Sequence, residues 1–267
     1  MKYKKNLPAN QMERAEKIRF GKELNFATSE AYRLMRTSLI FSLPSNSEHR
    51  AHIIGITSAN AGEGKSTSAM NLAYMLAEAQ HQTVLIEADM RLPVIAKRLG
   101  LNPTPGLSNL LVGLGGKNIV QPSGVEDRLR VICSGDIPPN PSELLGSDNM
   151  RKMLEALSTT VDYIVIDLPP INEVSDALVV SQFTDGIVMV VRQDYARRRD
   201  VADAIRQLEH ADAKVLGFVM THCSNGAGND YKYKKKYSKY HKYGYGYGYS
   251  YARSAQNTSD TGESNDD

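Results

Sequence analysis

Residues 52–67 read His52-Ile-Ile-Gly-Ile-Thr-Ser-Ala-Asn-Ala-Gly-Glu-Gly-Lys-Ser-Thr67, an apolar run that stops at a loop of small residues where a helical pattern begins. Strand, glycine-bearing loop and helix in this order describe a phosphate cradle. Gly62 and Gly64 let consecutive backbone N–H groups turn inward around an anion, and a helix starting near Lys65 aims the positive end of its dipole at the same spot. Ala61, Gly62, Glu63, Gly64, Lys65, Ser66 and Thr67 are therefore the expected ATP-binding stretch. Lys65 would reach the β- and γ-phosphates, and the Ser66 hydroxyl would ligate Mg²⁺. The stretch fits GxxxxGK[ST] at every fixed position but the first, where Ala59 stands for glycine, the mildest replacement available.

Around this loop, 267 residues suffice for one α/β domain of about 200 residues with tails to spare. The net charge is only +2, but basic residues gather at 2–22 and 232–242 and the last eight residues are acidic, so partners are expected at the ends. Cys133 and Cys223 match neither a metal-ligand spacing nor a disulfide framework, which points to a reducing, cytosolic setting. No apolar run approaches the ~18 residues that would span a bilayer, so any membrane association is expected through a partner or a charged patch.

Residues 1–27 read as a basic arm, loosely docked at best, with too few apolar residues for a core element. A helix is expected from Ser29, as cap, to about Leu43. Ala31, Leu34, Met35 and Leu39 would form its apolar side, and Glu30, Arg33 and Arg36 a solvated side with one i,i+3 ion pair. After the loop, a helix from Lys65 to about Gln80 carries the apolar stripe Ala69, Leu72, Ala73 and Leu76. The next strand, Thr83 to Ala88, runs into Glu87-Ala-Asp89-Met-Arg91, which puts two carboxylates at the strand edge where open α/β sheets bind ligands. Short helices broken by Pro103, Pro105 and Gly106 follow, then a strand from Leu129 to Cys133 and a helix start at Pro141. Val161 to Ile166 is a buried strand ending in Asp167, the Walker B arrangement. Strands at Gly186–Val191 and Val215–Met220 flank a helix from about Arg199 to His210. The alternation predicts a mainly parallel sheet flanked by helices, a P-loop NTPase domain over 28–222.

Past Cys223 the grammar changes. Residues 223–267 read as a flexible tail, with nine of the fourteen tyrosines between 231 and 251: Tyr231, Tyr233, Tyr237, Tyr240, Tyr243, Tyr245, Tyr247, Tyr249 and Tyr251. Gly and Lys alternate there without aliphatic residues, so disorder is expected. In chemical terms, Asp89 and Asp167 would approach the metal together with Ser66, while Lys65 neutralises the phosphoryl group in transit. Glu87 is the nearest carboxylate left free to orient or deprotonate an attacking hydroxyl, and Arg91 would pair with the acidic cluster or touch phosphate. With water as nucleophile the chain is an ATPase, and with a phenol it is a tyrosine kinase. The tail argues for the phenol, because about 20 residues reach up to ~66 Å and tethering keeps tyrosine concentrated near an active site.

The stretches Ala59–Thr67, Val84–Arg91 and Ile164–Asp167, with the tyrosine-rich end, resemble the bacterial tyrosine kinases (BY-kinases) of capsular and exopolysaccharide synthesis, over about residues 28–251. Their fold is similar to the MinD/ParA class of P-loop ATPases. The family's DxDxR motif appears here with Glu87 in place of its first aspartate, then Asp89 and Arg91. Its ExxRxxR assembly motif is matched by Glu30, Arg33 and Arg36. The resemblance implies a stand-alone cytoplasmic kinase using ATP and Mg²⁺, with Lys65, Asp89 and Asp167 acting on the tail of the next copy in a ring, up to an octamer. It also implies an activating membrane adaptor of the polysaccharide chain-length regulator type, recruitment to the inner face of the membrane, and a tyrosine phosphatase that resets the system. Residues 231–253 carry seven Lys and Arg and no acid. With roughly −1.5 to −2 per phosphotyrosine, about four phosphates would reverse that sign.

Two rival readings remain, and with them a third possibility, that the tail is only a sticky low-complexity segment and the ATPase site works without it. A MinD/ParA-like positioning ATPase would usually carry a further lysine where Asn60 stands, and no tyrosine tail. A nucleic-acid-stacking tail is permitted by Lys and Tyr spacing, but the Gly-Tyr repeats hold no arginine, and no nucleic-acid partner is expected.

Overall fold

The structure, a computed structural model, describes residues 20–44, 50–116 and 118–223. In chain order these form a 3-10 turn (Gly21–Glu23), α1 (Phe26–Ser42), β1 (His52–Ser58), α2 (Lys65–Glu78), β2 (Thr83–Glu87), α3 (Ile95–Leu99) and α4 (Leu107–Leu111). There follow β3 (Val120–Pro122), β4 (Leu129–Ile132), α5 (Pro141–Leu145), α6 (Asp148–Ser158), β5 (Tyr163–Asp167), α7 (Asp176–Ser181), β6 (Gly186–Arg192), α8 (Arg198–His210) and β7 (Val215–Thr221). The seven strands lie in the order β3-β4-β2-β5-β1-β6-β7, all parallel except β3, which runs antiparallel to β4 at one edge.

β2 and β5 are buried along their whole length, which is why they read as unbroken apolar runs rather than alternating ones. Successive residues feed opposite layers. Ile53, Ile86, Ile164 and Ile166 pack into one core with α6 and α8, while Ile54, Ile56, Leu85 and Val165 pack into the other with α2. Ile56 of β1 and Glu87 of β2 both stand in register with Asp167 of β5. The three strands therefore bring their ends to one place, with β5 in the middle and the glycine loop leaving from β1 beside it.

The expected helices and strands are present to within a few residues, and β3, α6 and α7 are additions. α6 is capped by the Ser147 hydroxyl, which accepts from Met150 N–H, and it buries Met150, Leu154 and Ser158. Among the described residues no helix is long and apolar enough to cross a membrane.

The N-terminal helix departs from expectation. α1 starts at Phe26, and Asn25 rather than Ser29 is its cap, accepting from Thr28 N–H at 2.9 Å. Its inner side is Leu39 with Tyr32 and Met35, whereas Leu34 is 59 % exposed. The charged side is not simply solvated. Arg36 donates to the Met75 carbonyl at 2.8 Å, and Arg33 bridges Glu30 on its own helix and Glu78 of α2, the latter at 3.5 Å. Long basic stems lie along the contact while their heads reach polar groups on α2. The expected i,i+3 ion pair is present as Glu30–Arg33, but the face looks partly onto its own chain.

The end of the basic arm is also firmer than expected. Phe20 meets the Tyr74 ring edge-on at 5.7 Å between centroids, and Gly21 N–H donates to Asn71 Oδ1 at 3.1 Å. Gly21 has φ +56°, and a Cβ there would lie 3.0 Å from the Tyr74 ring, so only glycine fits without displacement. Residues 1–19, and the tail tyrosines from Tyr231 to Tyr251, lie outside the described residues.

Candidate active site

The loop after β1 takes its shape from two left-handed glycines, Gly62 at φ +79° and Gly64 at φ +96°, the latter capping α2. Its outer side is held by groups from distant strands. The Tyr195 hydroxyl donates to the Ala61 carbonyl at 3.1 Å, Arg192 to the Gly62 carbonyl at 3.2 Å and the Thr221 hydroxyl to the Glu63 carbonyl at 2.7 Å. With these carbonyls occupied outside, the loop keeps its amides for a ligand. Two amides at its start are taken: Asn60 N–H donates to the Glu63 side chain and Ala61 N–H to Glu173, each at 2.9 Å. Glu63, expected within the ATP-binding stretch, turns its side chain into the protein and accepts from the backbone N–H of Asn60 and of Arg192. Burial pushes its carboxyl up, against the pull of those hydrogen bonds. Glu63 thus has only its backbone to offer a ligand.

At the foot of the loop, Lys65, Asp89 and Asp167 converge. Lys65 Nζ lies 2.6 Å from Asp89 Oδ2, 3.9 Å from Asp167 Oδ1 and 3.5 Å from the Ser66 hydroxyl. Burial pulls the ammonium down, and Asp167 and Asp89 more than offset it, so its pKa lies above the ordinary lysine value. Asp89 is anchored by Leu92 N–H, which donates to Oδ1 at 3.1 Å. Asp167 is fully buried, and neither oxygen has a hydrogen-bond partner among the described residues. Burial pushes its carboxyl up to about 6, with Lys65 pulling in the other direction. A bare buried carboxylate is costly unless a cation or proton joins it. The donor set of Ser66, Asp89 and Asp167, two carboxylates and a hydroxyl beside a phosphate cradle, fits Mg²⁺, which keeps most of its shell as water and phosphate.

Two expected site residues are placed differently. Glu87, read as a free carboxylate, is fully buried and engaged. Its Oε1 accepts from Val94 and Ile95 N–H, both at 2.5 Å, and its Oε2 from Ser134 N–H at 3.3 Å. It caps the start of α3 and ties it to the end of β4. Arg91 lines the pocket beside the loop and is paired there not with Asp89 but with Asp176, a fully buried carboxylate at the start of α7, through contacts of 3.0 and 3.2 Å.

Glu87→Gln keeps an oxygen for the Val94 and Ile95 amides. It is expected to cost about 1 kcal/mol of stability and to leave catalytic turnover little changed. A collapse of turnover at unchanged melting temperature would restore Glu87 as a base.

Arg98, Glu173 and Val174 also line the pocket, along with Lys65, Ser66 and Asp89. Sequence reasoning had passed over them, and over Tyr195, Arg192 and Thr221 outside it. Tyr195 and Thr221 are 134 and 158 residues from their loop partners. No local spacing signals such contacts.

A protein-family model described as "ParA: NUBPL iron-transfer P-loop NTPase" matches residues 49–245. The tyrosine-protein kinase CpsD of Streptococcus agalactiae is 39 % identical over 197 residues, which is 72 % of this chain and 82 % of that protein. The tyrosine-protein kinase YwqD of Bacillus subtilis (strain 168) is 34 % identical over 205 residues, 77 % of this chain and 85 % of that one. Among solved structures, the kinase domain of the Escherichia coli tyrosine kinase ETK matches with a TM-score of 0.67 and 32 % identity, over 74 % of this chain and 78 % of that domain. The cell-division ATPase MinD of Pyrococcus furiosus matches with a TM-score of 0.54 at 22 % identity, over 64 % of this chain and 71 % of that one, a likeness of fold alone.

Proposed function

The chain belongs to the bacterial tyrosine-protein kinases, enzymes on a ParA-like P-loop fold, and from that premise we propose that it phosphorylates the tyrosines between Tyr231 and Tyr251 of a neighbouring copy. The observation that carries this reading is the cluster of Lys65, Asp89 and bare Asp167 at the foot of a glycine loop. The loop amides and the start of α2 bind the phosphates. Ser66, Asp89 and Asp167 would hold Mg²⁺, and Lys65, now paired with Asp89, would neutralise phosphate charge. When bound, MgATP would supply the transferable phosphoryl group, with the metal offsetting part of its charge. Phosphoryl transfer asks mainly for positioning and charge stabilisation, so the engagement of Glu87 by backbone amides removes nothing that the reaction requires.

Mass spectrometry of phosphatase-treated protein, before and after incubation with MgATP, tests the proposal. Several new phosphates on Tyr231–Tyr251 are expected. ATP hydrolysis with no tyrosine phosphate, even with the cytoplasmic segment of an adaptor present, would overturn it in favour of a positioning ATPase.

The wider reading follows the family resemblance: a ring of copies, an adaptor of the chain-length regulator type that recruits the kinase to the inner membrane face, a phosphatase, and control of capsule or exopolysaccharide export. Glu30, Arg33 and Arg36 changed together to alanine are expected to reduce the ring to monomers by light scattering. A melting curve beside it separates lost assembly from the loss of Arg36 and Arg33 contacts to α2. An unchanged mass would confine those residues to holding α1 in place.

A further inference from the structure

Three cations line the pocket beside the glycine loop: Lys65, Arg91 and Arg98. Lys65 is paired with Asp89, and Arg91 with Asp176. Arg98 alone of the three has no ion-pair partner among the described residues; its Nη1 instead donates to the Thr67 hydroxyl at 3.2 Å. The side chain is open to solvent through the pocket, yet protein crowds it enough that desolvation lowers its pKa from the ordinary arginine value. Asp167 and Glu87 act on it from a distance without making up for the lost water, and a cation partly stripped of water with no carboxylate in contact is relieved by an anion.

Its placement is deliberate in structural terms. Glu87 captures the first amides of α3, and Ile95 and Ala96 anchor that short helix in the core. Arg98, three residues past Ile95, is thereby brought against the first turn of α2. In a loop of this kind the lysine reaches the β- and γ-phosphates, the next hydroxyl takes the metal, and backbone amides cradle the α- and β-phosphates. Thr67 lies one residue further into the helix than Ser66. Resting on the nucleotide-binding reading above, we propose that Arg98 is an additional nucleotide ligand, contacting the α-phosphate of ATP and ADP from the α3 side. A planar guanidinium suits two phosphate oxygens at once, and no lysine reproduces that fork.

Titration calorimetry with ADP and with ATP, beside thermal melts with and without ADP, tests this on Arg98→Ala and Arg98→Lys. Arg98→Ala is expected to bind both nucleotides roughly tenfold more weakly, by the same factor, because both carry the α-phosphate. Its nucleotide-free melting temperature should not fall, since an unpaired cation has been removed, while the rise on adding ADP shrinks. Arg98→Lys should be intermediate, and it carries the test if the alanine variant does not fold. Unchanged ADP affinity would overturn the proposal, as would a loss confined to ATP or a lower nucleotide-free melting temperature with an undiminished ADP effect. Absence of ADP binding by the wild-type protein would instead defeat the nucleotide-binding reading itself.

Discussion

Lys65→Met is expected to reduce tail phosphorylation by on the order of 10²–10³-fold and to destabilise the nucleotide-free protein as well. The catalytic loss follows from removing the charge that faces the phosphates. The stability loss follows from the two carboxylates left behind. Asp89 loses its 2.6 Å partner and Asp167 its nearest cation, and both are buried. Stranding one side of a buried ion pair costs about 3 kcal/mol. The cost should shrink as pH falls through about 6, where Asp167 takes up a proton instead of standing unpaired. Urea melts of the nucleotide-free variant at two pH values read this directly. A variant as stable as wild type at pH 8 would mean that the Lys65–Asp89 contact contributes nothing to the fold.

Asp167→Asn should separate activity from stability in the opposite direction. Kinase activity is expected to fall with the loss of the proposed metal ligand, while the nucleotide-free protein becomes more stable above about pH 6. Burial raises the carboxyl from 3.8 to about 6, so the folded state holds its proton more tightly than the unfolded one. The stabilisation this confers is complete below the unfolded value and is lost as pH rises through about 6. The amide carries no charge to desolvate and escapes that loss. The gain at neutral pH is about 1–3 kcal/mol, and the difference between the two melting curves should vanish near pH 4. A variant less stable than wild type at pH 8 would show that Asp167 already has a stabilising partner in the nucleotide-free state.

The opposed signs identify a fold organised around a ligand. A pocket containing a buried carboxylate with only a 3.9 Å cation contact fits a site in which binding repays the cost, the usual trade between stability and activity. The same trade explains what could be read from sequence. The strand, glycine loop and helix of 52–67 are local, so their residues declare themselves without knowledge of the rest. Asp89 and Asp167 are legible because a carboxylate ending or just beyond a buried apolar strand has few other uses. Glu87 and Arg91 look equivalent to them in one dimension. Their partners are the amides of Val94, Ile95 and Ser134 and the carboxylate of Asp176, 85 residues from Arg91. Only the meeting of β2, β4 and α7 reveals that both side chains are committed. The rotation of α1 was hidden for a related reason: periodicity counts arginines as outward, whereas α2 supplies a carbonyl and a carboxylate within their reach.

The Thr221 bond to the Glu63 carbonyl has a mechanical consequence. β7 ends at Thr221, and the chain runs on through His222 and Cys223 toward the tyrosine-rich segment. The end of β7 is therefore fastened to the phosphate loop itself. A pull on it enters the fold at the residue that steadies Glu63, next to Gly64 and Lys65. Any load on the end of β7 is therefore felt first by the loop residue that precedes Gly64 and Lys65, and a strand edge doubles as a tensioner of the phosphate cradle.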